Sequence, residues 1–529
     1  MPTFGERSLD EPNRESNLYG LLFYLVCFGF LYLHVFLLPA TPIYYEADHI
    51  NLLNDAKRIT EGQFIYRDFF EFLFPGAHVV YAGLMLLFGT KYWIVSGVII
   101  AHGMAAVWAG VQISRRVIAD NFIAFLPSAI FIFLGFRWFG VDGEHRMISP
   151  IFTYIAILVL LKERTVSRLV LAAVSCSLAS FFTQQRGVLT AAAILVVLLI
   201  EFGVTRGEWK QFLRLSLIFG TVCVAVLGLM LLPFIVVAGP ERFFSDTFLF
   251  LVAYAQDPAT NSLQTYLSTI VKIRSFGNLM TLVTLFYSLL IPAVYIVSLA
   301  VLYFRRRRYP FSENVGIFLV CLVGLFLAVG TTGPNVYRLF QVSMPALIAV
   351  VWLISRARFF KPSFVLGLAS LLAIFGLVLG VRLQTAWDAK ILDTPSGSLA
   401  FTSPVIRERY EWLLANARPN DQVYEVYNSH VNFPLGLRNP SRMSILLNTG
   451  YSPPEHVAWA IDDLKRENPR YIIWDGAWTE EMSQLADGER LKPFYIYLTA
   501  NYRRVHSFTP YDGREREIWE RLEGSEPGR

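Results

Sequence analysis

Twelve apolar runs divide most of the sequence and limit what the chain can fold into. Many are close to the roughly 17 to 25 residues with which a helix crosses a ~30 Å hydrocarbon core. Charged residues make up only 16% of the chain, whereas ordinary soluble domains hold about 25%. The sequence therefore predicts a polytopic α-helical membrane protein, with apolar runs at 18–39, 74–89, 93–113, 121–137, 147–161, 167–182, 187–203, 213–237, 277–303, 314–331, 340–355 and 363–383.

The basic residues between these runs predict their orientation, because short loops rich in Lys and Arg stay on the cytoplasmic side. Such loops hold Arg115-Arg116, Lys162 to Arg168, Arg206 to Lys210, Arg305 to Arg308, and Arg356 to Lys361. If all are cytoplasmic, only one crossing fits between the acidic stretch 44–72 and the first of these loops. The short run 74–89 is therefore predicted to be interfacial or re-entrant, which leaves about 11 spans. The alternative is twelve spans with one basic loop misplaced.

The stretch 44–72 places six acidic residues directly after the first span. Four polar residues in it fall at i, i+3, i+7 and i+10, on one face of a helix: Asp48, Asn51, Asp55 and Arg58. We therefore predict an amphipathic helix over 46–61 on the membrane surface, ended by Gly62. The pattern leaves three roles open for Asp48: a general base, a metal ligand, or a charge that favours the helix N-terminus.

Three further polar motifs fall on the same predicted outer face. They are residues 137–149 with Asp142, Glu144, His145 and Arg146, residues 181–187 with Gln184, Gln185 and Arg186, and residues 333–341 with Tyr337 and Arg338. Polar groups at membrane depth are costly and usually face a cavity. The motifs thus indicate an outward-facing cavity lined by acids and arginines, as in an active site or a transport vestibule. Salt bridges between helix ends are the structural alternative.

The order of the pieces between Asp48 and Gly89 resembles the first outer loop of the GT-C superfamily. These are polyprenyl-phosphate-sugar-dependent glycosyltransferases, such as protein O-mannosyltransferases and bacterial aminoarabinose transferases. The matching pieces are Asp48, Gly62, Tyr66-Arg67-Asp68-Phe69, Pro75-Gly76 and Leu87-Phe88-Gly89, and residues 337–352 resemble a late span of the family. The chain departs from the family in having Glu46-Ala47-Asp48 instead of adjacent Asp-Glu, and in the displaced position of His78.

The resemblance implies transfer of a sugar from a polyprenyl-phosphate donor at the outer face, with inversion at the anomeric carbon. One base is then needed to take the proton of the acceptor. Asp48 is the match for this base and Glu46 is the second choice. The phosphate leaving group needs positive charge, for which an Arg fork is suited. The candidates, in order, are Arg338, Arg146 and Arg186.

Other candidate substrate-binding residues are Glu144, Tyr66, Arg67, Asp68 and Tyr337. Residues 66–68 have an equal alternative as an anchor of the loop at the interface. The acids of 142–146 could support the acceptor or hold Mg²⁺ or Mn²⁺. Two acids and one His fall short of a metal motif, so the sequence favours no metal while leaving a divalent cation open.

Residues 1–383 are predicted as the membrane domain, with outer loops 40–92 and 238–276, and residues 384–529 as a small α/β domain outside the membrane. In this tail, Ser452 is expected to cap a helix that a strand follows. No Gly-rich phosphate loop or nucleophile motif occurs there.

The predicted function is inverting transfer of a lipid-phosphate-linked sugar to a glycan, lipid or protein acceptor. A transporter or flippase and a catalytically silent envelope scaffold are the alternatives; no internal repeat supports transport. Membrane lipid is an expected partner and nucleic acid is not, because the Arg305 to Arg308 run is explained as a cytoplasmic anchor. We expect a bacterial inner membrane, with the site and tail facing the periplasm.

Overall fold

A computed structural model of the chain describes residues 14–253, 279–305, 309–330, 336–356, 362–386, 389–508 and 515–522. Helices form most of it, and a small sheet domain lies at the C-terminal end. The predicted outer loop 238–276 is described only as far as residue 253, where it forms the helical segments Pro240–Phe244, Ser245–Leu249 and Phe250–Ala253. Its remainder, residues 306–308 of the arginine run and residues 331–335 lie outside the described residues.

Apolar helices occur at all twelve predicted runs. Within the described ranges, six are long and apolar enough to cross a membrane: Leu18–Val35, Trp93–Val117, Gln184–Thr205, Trp209–Ala238, Leu282–Phe304 and Phe311–Val329. Six are shorter: Gly76–Phe88, Ile123–Phe139, His145–Leu160, Val166–Phe182, Met344–Ser355 and Gly367–Val381. The prediction of a polytopic helical membrane protein is confirmed. Helix length does not decide which of the shorter helices cross, so eleven crossings stay a prediction.

The segment after the first span forms a short ladder and two helices. Strands β1 (Phe36–Leu37) and β2 (Thr41–Pro42) pair antiparallel, and the helix His49–Thr60 follows. This helix ends where Gly62 adopts a φ of 92°, a left-handed conformation that glycine tolerates best. We call His49–Thr60 the surface helix.

The helix predicted over 46–61 is present as His49–Thr60, and its position on the membrane surface stays a prediction. Its polar face is covered by another part of the chain. That face packs on the C-terminal domain. Asn51 Oδ1 accepts a hydrogen bond from the Ser429 backbone N–H at 3.1 Å, and Asp55 Oδ1 accepts one from Ser444 Oγ at 2.9 Å. Arg58 Nη1 also donates to the Ser441 carbonyl at 3.0 Å. A buried polar face needs such partners, and the tail supplies them.

The C-terminal domain begins with a hairpin of β3 (Lys390–Thr394) and β4 (Gly397–Phe401). A four-stranded sheet follows, in the order β5-β6-β8-β7, made of Val423–Glu425, Tyr471–Asp475, Arg516–Arg521 and Tyr502–Phe508. β5 and β6 run parallel, and the other pairs run antiparallel. Its helices are Pro404–Asn416, Pro454–Glu467, Ala477–Met482 and Lys492–Asn501. The predicted α/β character is confirmed.

One predicted detail of the tail is wrong. The helix starts at Pro454 with Pro453 at the cap position, one residue later than expected. Ser452 Oγ instead accepts from the Leu447 backbone N–H at 2.8 Å, so this hydroxyl closes the preceding turn. Two prolines follow Ser452, and proline is favoured in the first helical turn. The sequence alone therefore does not decide whether the helix begins at Pro453 or at Pro454.

Candidate active site

A chain of polar contacts joins Asp48 to three other parts of the membrane domain. Arg146 Nη1 lies 3.5 Å from Asp48 Oδ2 and 2.7 Å from Glu144 Oε2. Gln341 Nε2 donates to Glu144 Oε1 at 2.7 Å, and Arg186 Nη2 donates to Gln341 Oε1 at 2.7 Å. Arg186 also donates to the Arg146 carbonyl. The three polar motifs of the predicted outer face therefore meet at one place.

Gln341 is the residue of this network that the sequence did not single out. It is buried and links Glu144 to Arg186, which lie on different segments. Its only signal in the sequence is its position three residues after Arg338, which puts both side chains on one face of the helix Val336–Gln341. An amide serves here because it donates to a carboxylate and accepts from a guanidinium at the same time.

Burial changes the acidity of Glu144. Removal from water raises its pKa to about 7, although Arg146 opposes the shift. A carboxyl with a pKa in this range is able to exchange a proton near neutral pH. Its two hydrogen bonds hold it toward Arg146 and Gln341.

Three arginines from distant parts of the sequence line one small cavity. Arg146, Arg186 and Arg338 surround about 150 Å³ together with Gln184 and Tyr451, and we call this space the arginine cavity. Arg338 is close enough to interact electrostatically with Arg146, Glu144 and Asp48. The three arginines chosen from the sequence are thus neighbours. Such a cluster is suited to the oxygens of a phosphate group.

Asp48 also borders a second, larger cavity between the membrane domain and the tail. This space of about 580 Å³, the domain cavity, is lined by Asp48 and by residues that include His34, Trp138, Ile406 and Tyr427. The Asp48 side chain is 62% exposed, in contrast to the buried Glu144. The Asp48 carboxylate therefore lines the domain cavity and also contacts Arg146, which lines the arginine cavity.

Glu46, the second choice for a base, has a different environment. Its carboxylate accepts from Arg409 Nη2 at 2.7 Å and lies 2.9 Å from His430 Nδ1. Burial alone would raise its pKa, but the positive charge of Arg409 and the nearby His430 outweigh burial and hold the pKa well below its usual range. A carboxylate so firmly ionised is a poor proton acceptor, and its contacts tie the outer loop to the tail.

The structure separates residues 66–68 from the arginine cavity. Tyr66 is fully buried, and its hydroxyl donates to the Leu73 carbonyl. Arg67 and Asp68 pair with each other, and Asp68 Oδ2 also accepts from the Phe64 backbone N–H at 2.6 Å. These contacts agree with the anchoring alternative. Tyr337 is 49% exposed and packs edge-on against Phe139, outside the lining of the arginine cavity.

The acids of 142–146 bond to other side chains of the protein. Asp142 bonds His49, Glu144 bonds Arg146 and Gln341, and His145 bonds Thr183. These side chains have different partners, and the open question of a divalent cation at these acids stays a prediction.

Another group in the described part of the chain has the spacing of a cation site. Asp55, Glu71 and His78 each offer a ligand atom, and these atoms lie within 4.8 Å of one another. His78 Nε2 is 3.1 Å from Glu71 Oε2, and His78 Nδ1 is buried without a hydrogen-bond partner among the described residues. Two carboxylates and an imidazole fit Mn²⁺ or Zn²⁺ better than Mg²⁺, which prefers oxygen ligands.

Comparison with known proteins identifies the fold. No family model matches the sequence, and none of the curated proteins matches it. Two solved structures match nearly the whole chain: ArnT from Cupriavidus metallidurans bound to undecaprenyl phosphate, and ArnT from the same organism in the apo state. They share 12% and 13% identity with this chain, cover 96% of it in each case and are themselves covered to 99% and 98%, with TM-scores of 0.58. The chain therefore has an ArnT-like fold, which confirms the fold class expected from its sequence: a helical membrane domain with a small C-terminal α/β domain.

Proposed function

We propose that this protein transfers a sugar from a polyprenyl-phosphate donor to an acceptor, in one inverting displacement with Asp48 as general base. The observation that carries the proposal is that Asp48 lines the domain cavity and contacts Arg146, one of the three arginines that line the arginine cavity. In an inverting displacement, the attacking hydroxyl and the leaving phosphate lie on opposite sides of the anomeric carbon. A base must therefore stand on the acceptor side, with positive charge on the donor side.

The arginine cavity provides the donor side. Its three guanidinium groups come from separate helical segments, and Arg186 is held in place by Gln341 and the Arg146 carbonyl. Groups that are oriented before the phosphate arrives do not have to reorganise as negative charge develops on it. The undecaprenyl phosphate bound by one of the ArnT structures supports a lipid phosphate as the ligand here.

The domain cavity provides the acceptor side. It opens between the end of the first span and the tail, and aromatic side chains such as Trp138 and Tyr427 lie in its wall. Aromatic rings with polar neighbours suit an acceptor that is partly apolar, and the cavity has room for a glycan, lipid or protein segment. An exposed carboxylate such as Asp48 reaches an acceptor hydroxyl without first breaking a strong ion pair.

The site faces the outer, periplasmic side of a bacterial inner membrane in this proposal. The support comes from the distribution of Lys and Arg, which accumulate at the opposite ends of the helices. A donor already on that side needs no nucleotide, so the chain needs no nucleotide-binding loop.

A divalent cation at Asp55, Glu71 and His78 is a separate part of the proposal. When bound, it would supply local positive charge beside the outer loop. The test is the metal content of purified protein. The parent is expected to carry about one cation per chain, and Glu71→Gln and His78→Ala are expected to lose it. An equal content in parent and variants would contradict the site.

The test of the function is a transfer assay with the full chain in detergent. Radiolabelled polyprenyl-phosphate mannose, glucose, arabinose and N-acetylglucosamine serve as donors, and membrane extract supplies acceptors. Asp48→Asn is compared with Glu61→Gln, an exposed acid of the same loop whose ion pair within the described residues is with Lys57 at 3.6 Å. We expect transfer by the parent and Glu61→Gln, and loss in Asp48→Asn.

The outcomes distinguish the role of Asp48 from the type of reaction that the protein performs. Equal transfer by parent and Asp48→Asn would remove Asp48 as the base and direct attention to Glu144. Failure of the folded parent to use any of the donors would instead favour the scaffold or the transporter.

A further inference from the structure

A large cavity lies at the end of the helical domain that is remote from the candidate active site. The helices His145–Leu160 and Gln184–Thr205 begin beside the arginine cavity. Their far ends reach a third space, of about 1170 Å³, whose lining includes Leu161 and Glu201. A helix of 16 residues is about 24 Å long, so the two sites lie near opposite membrane faces. We call this space the distal cavity.

Positive side chains dominate the lining of the distal cavity. Three of them lie within residues 162–168 and three within residues 206–214, and Arg116 completes the set of seven. Three glutamates oppose them. Cations brought together from three connections repel one another, so an anion that neutralises them would be bound favourably.

One cation of the distal cavity is incompletely satisfied by the protein. Arg164 has a side chain only 9% exposed, and its Nη2 has no hydrogen-bond partner among the described residues. Glu201 is shared between Arg164 Nε at 3.0 Å and Arg206 Nη2 at 2.7 Å. A buried guanidinium nitrogen without an acceptor is costly, which points to an acceptor supplied by a ligand.

The surroundings of the distal cavity match a lipid and not a soluble anion. The helix Trp209–Ala238 packs on Val166–Phe182 but leaves much apolar surface exposed, since only 6% of its apolar window is buried. Its first turns carry Lys210 and Arg214 into the cavity, while Leu213 and Leu217 are 62% and 71% exposed. Charge at one level and an exposed apolar surface directly beside it fit a headgroup joined to acyl chains.

We propose that the distal cavity binds the phosphodiester headgroup of an acidic membrane phospholipid, with its acyl chains along the exposed face of Trp209–Ala238. Basic pockets between transmembrane helices are known sites for such headgroups. The general excess of Lys and Arg on the cytoplasmic side explains the sign of these charges. It does not explain their convergence on a buried guanidinium whose Nη2 has no acceptor among the described residues. Arg305, which ends a neighbouring span, is exposed and lies outside the cavity lining.

The experiment measures lipid retained by the full chain, independently of sugar transfer. Protein is incubated with equal amounts of phosphatidylglycerol and phosphatidylcholine of identical acyl chains, and bound lipid is counted by native mass spectrometry. The variants Lys210→Gln and Arg214→Gln remove cations for which the described residues show no ion pair. Arg305→Gln removes the same charge outside the cavity. Inorganic phosphate is added in a separate arm, to distinguish a soluble anion from a lipid headgroup.

We expect the parent to retain phosphatidylglycerol in preference to phosphatidylcholine. Each cavity variant is expected to lower that retention about fivefold, and Arg305→Gln to leave it unchanged. Arg164→Gln, with a thermal midpoint measured to establish folding, is expected to lower it at least as much. Equal retention of the two lipids, or equal loss in Arg305→Gln, would overturn the proposal. Displacement of the lipid by inorganic phosphate would also overturn it, in favour of a soluble anion site.

Discussion

Two sides of the domain cavity, the domain seam and the side next to Arg146, draw their acids from the same stretch of chain but use them differently. At the seam, where the outer loop meets the tail, Glu46 is closed in by Arg409 and His430, and Asp55 bonds Ser444. On the other side, Asp48 is mostly exposed and has one long contact, at 3.5 Å from Arg146, which lines the arginine cavity. The two acids Glu46 and Asp48 are only two residues apart.

This difference teaches that local acid density does not identify a reactive group. A carboxylate whose oxygens are all paired stabilises the fold, because removing one partner leaves an uncompensated buried charge. A carboxylate with free oxygens at a cavity is available to take a proton. The described partners of each acid, and not its position in the motif, separate the two roles.

The largest expected effect is on transfer by Asp48→Asn. The substitution keeps the shape of the side chain and removes its basicity, so we expect the rate to fall by about 10²–10⁴-fold. The thermal midpoint should stay close to that of the parent, because the side chain is exposed. Transfer rates and melting curves measured on the same preparation test both parts of this prediction. A large loss of stability in Asp48→Asn would mean that Asp48, like Glu46, stabilises the fold.

Glu46→Gln is expected to have the opposite profile. It leaves Arg409 buried without its closest carboxylate, and breaking such a pair costs about 3–5 kcal/mol. Transfer per folded molecule should be kept. Glu411→Gln, in an exposed pair with Arg407, is the matched control and should cost under about 1 kcal/mol. A fall in transfer without a fall in stability would instead return Glu46 to the list of bases.

Arg338→Gln tests whether the arginine cavity binds the phosphate of the lipid donor. Loss of one charge-assisted hydrogen bond to a phosphate is expected to raise KM for the lipid donor by about 10–100-fold, or about 1.5–3 kcal/mol. The effect on kcat should be smaller if the remaining arginines still hold the leaving group. Steady-state kinetics with varied donor decide this, and an unchanged KM would place the phosphate elsewhere.

Acid should weaken the seam through Glu46. Its folded-state pKa is depressed below the ordinary 4.5, so its stabilising contribution is complete above about pH 4.5. The contribution is lost as the pH falls from that value through the folded-state pKa. Unfolding followed from pH 7 to pH 3 should show a steeper acid loss in the parent than in Glu46→Gln, and parallel curves would contradict the assignment.

Ser444→Ala is expected to have the smallest effect. It removes the hydroxyl that donates to Asp55 at 2.9 Å, and one such hydrogen bond is worth about 1 kcal/mol. Burial raises the pKa of Asp55 to about 6, and loss of the hydroxyl should raise it further. Thermal melting at pH 5 and pH 7 measures both effects. A cost as large as that of Glu46→Gln would show that the seam depends on hydrogen bonds as much as on ion pairs.

The secondary structure of this protein follows from short-range patterns in its sequence. Hydrophobic length and period predict helices at the twelve runs, and Gly62 ends the surface helix as expected. The helix-strand order of the tail follows from its turn residues in the same way. These features depend on residues within a few positions of each other, so a local pattern is enough to reveal them.

The contacts between polar residues depend instead on how distant segments pack together. Glu46 and Arg409 are 363 residues apart in the chain, and Glu144 and Gln341 are 197 apart. The face of the surface helix that is covered, the burial of Tyr66 and the convergence of three arginines all result from such distant contacts. Charge and polarity in a motif indicate that a partner is needed, but the packing of the helices and the tail chooses that partner, and with it the role of each acid.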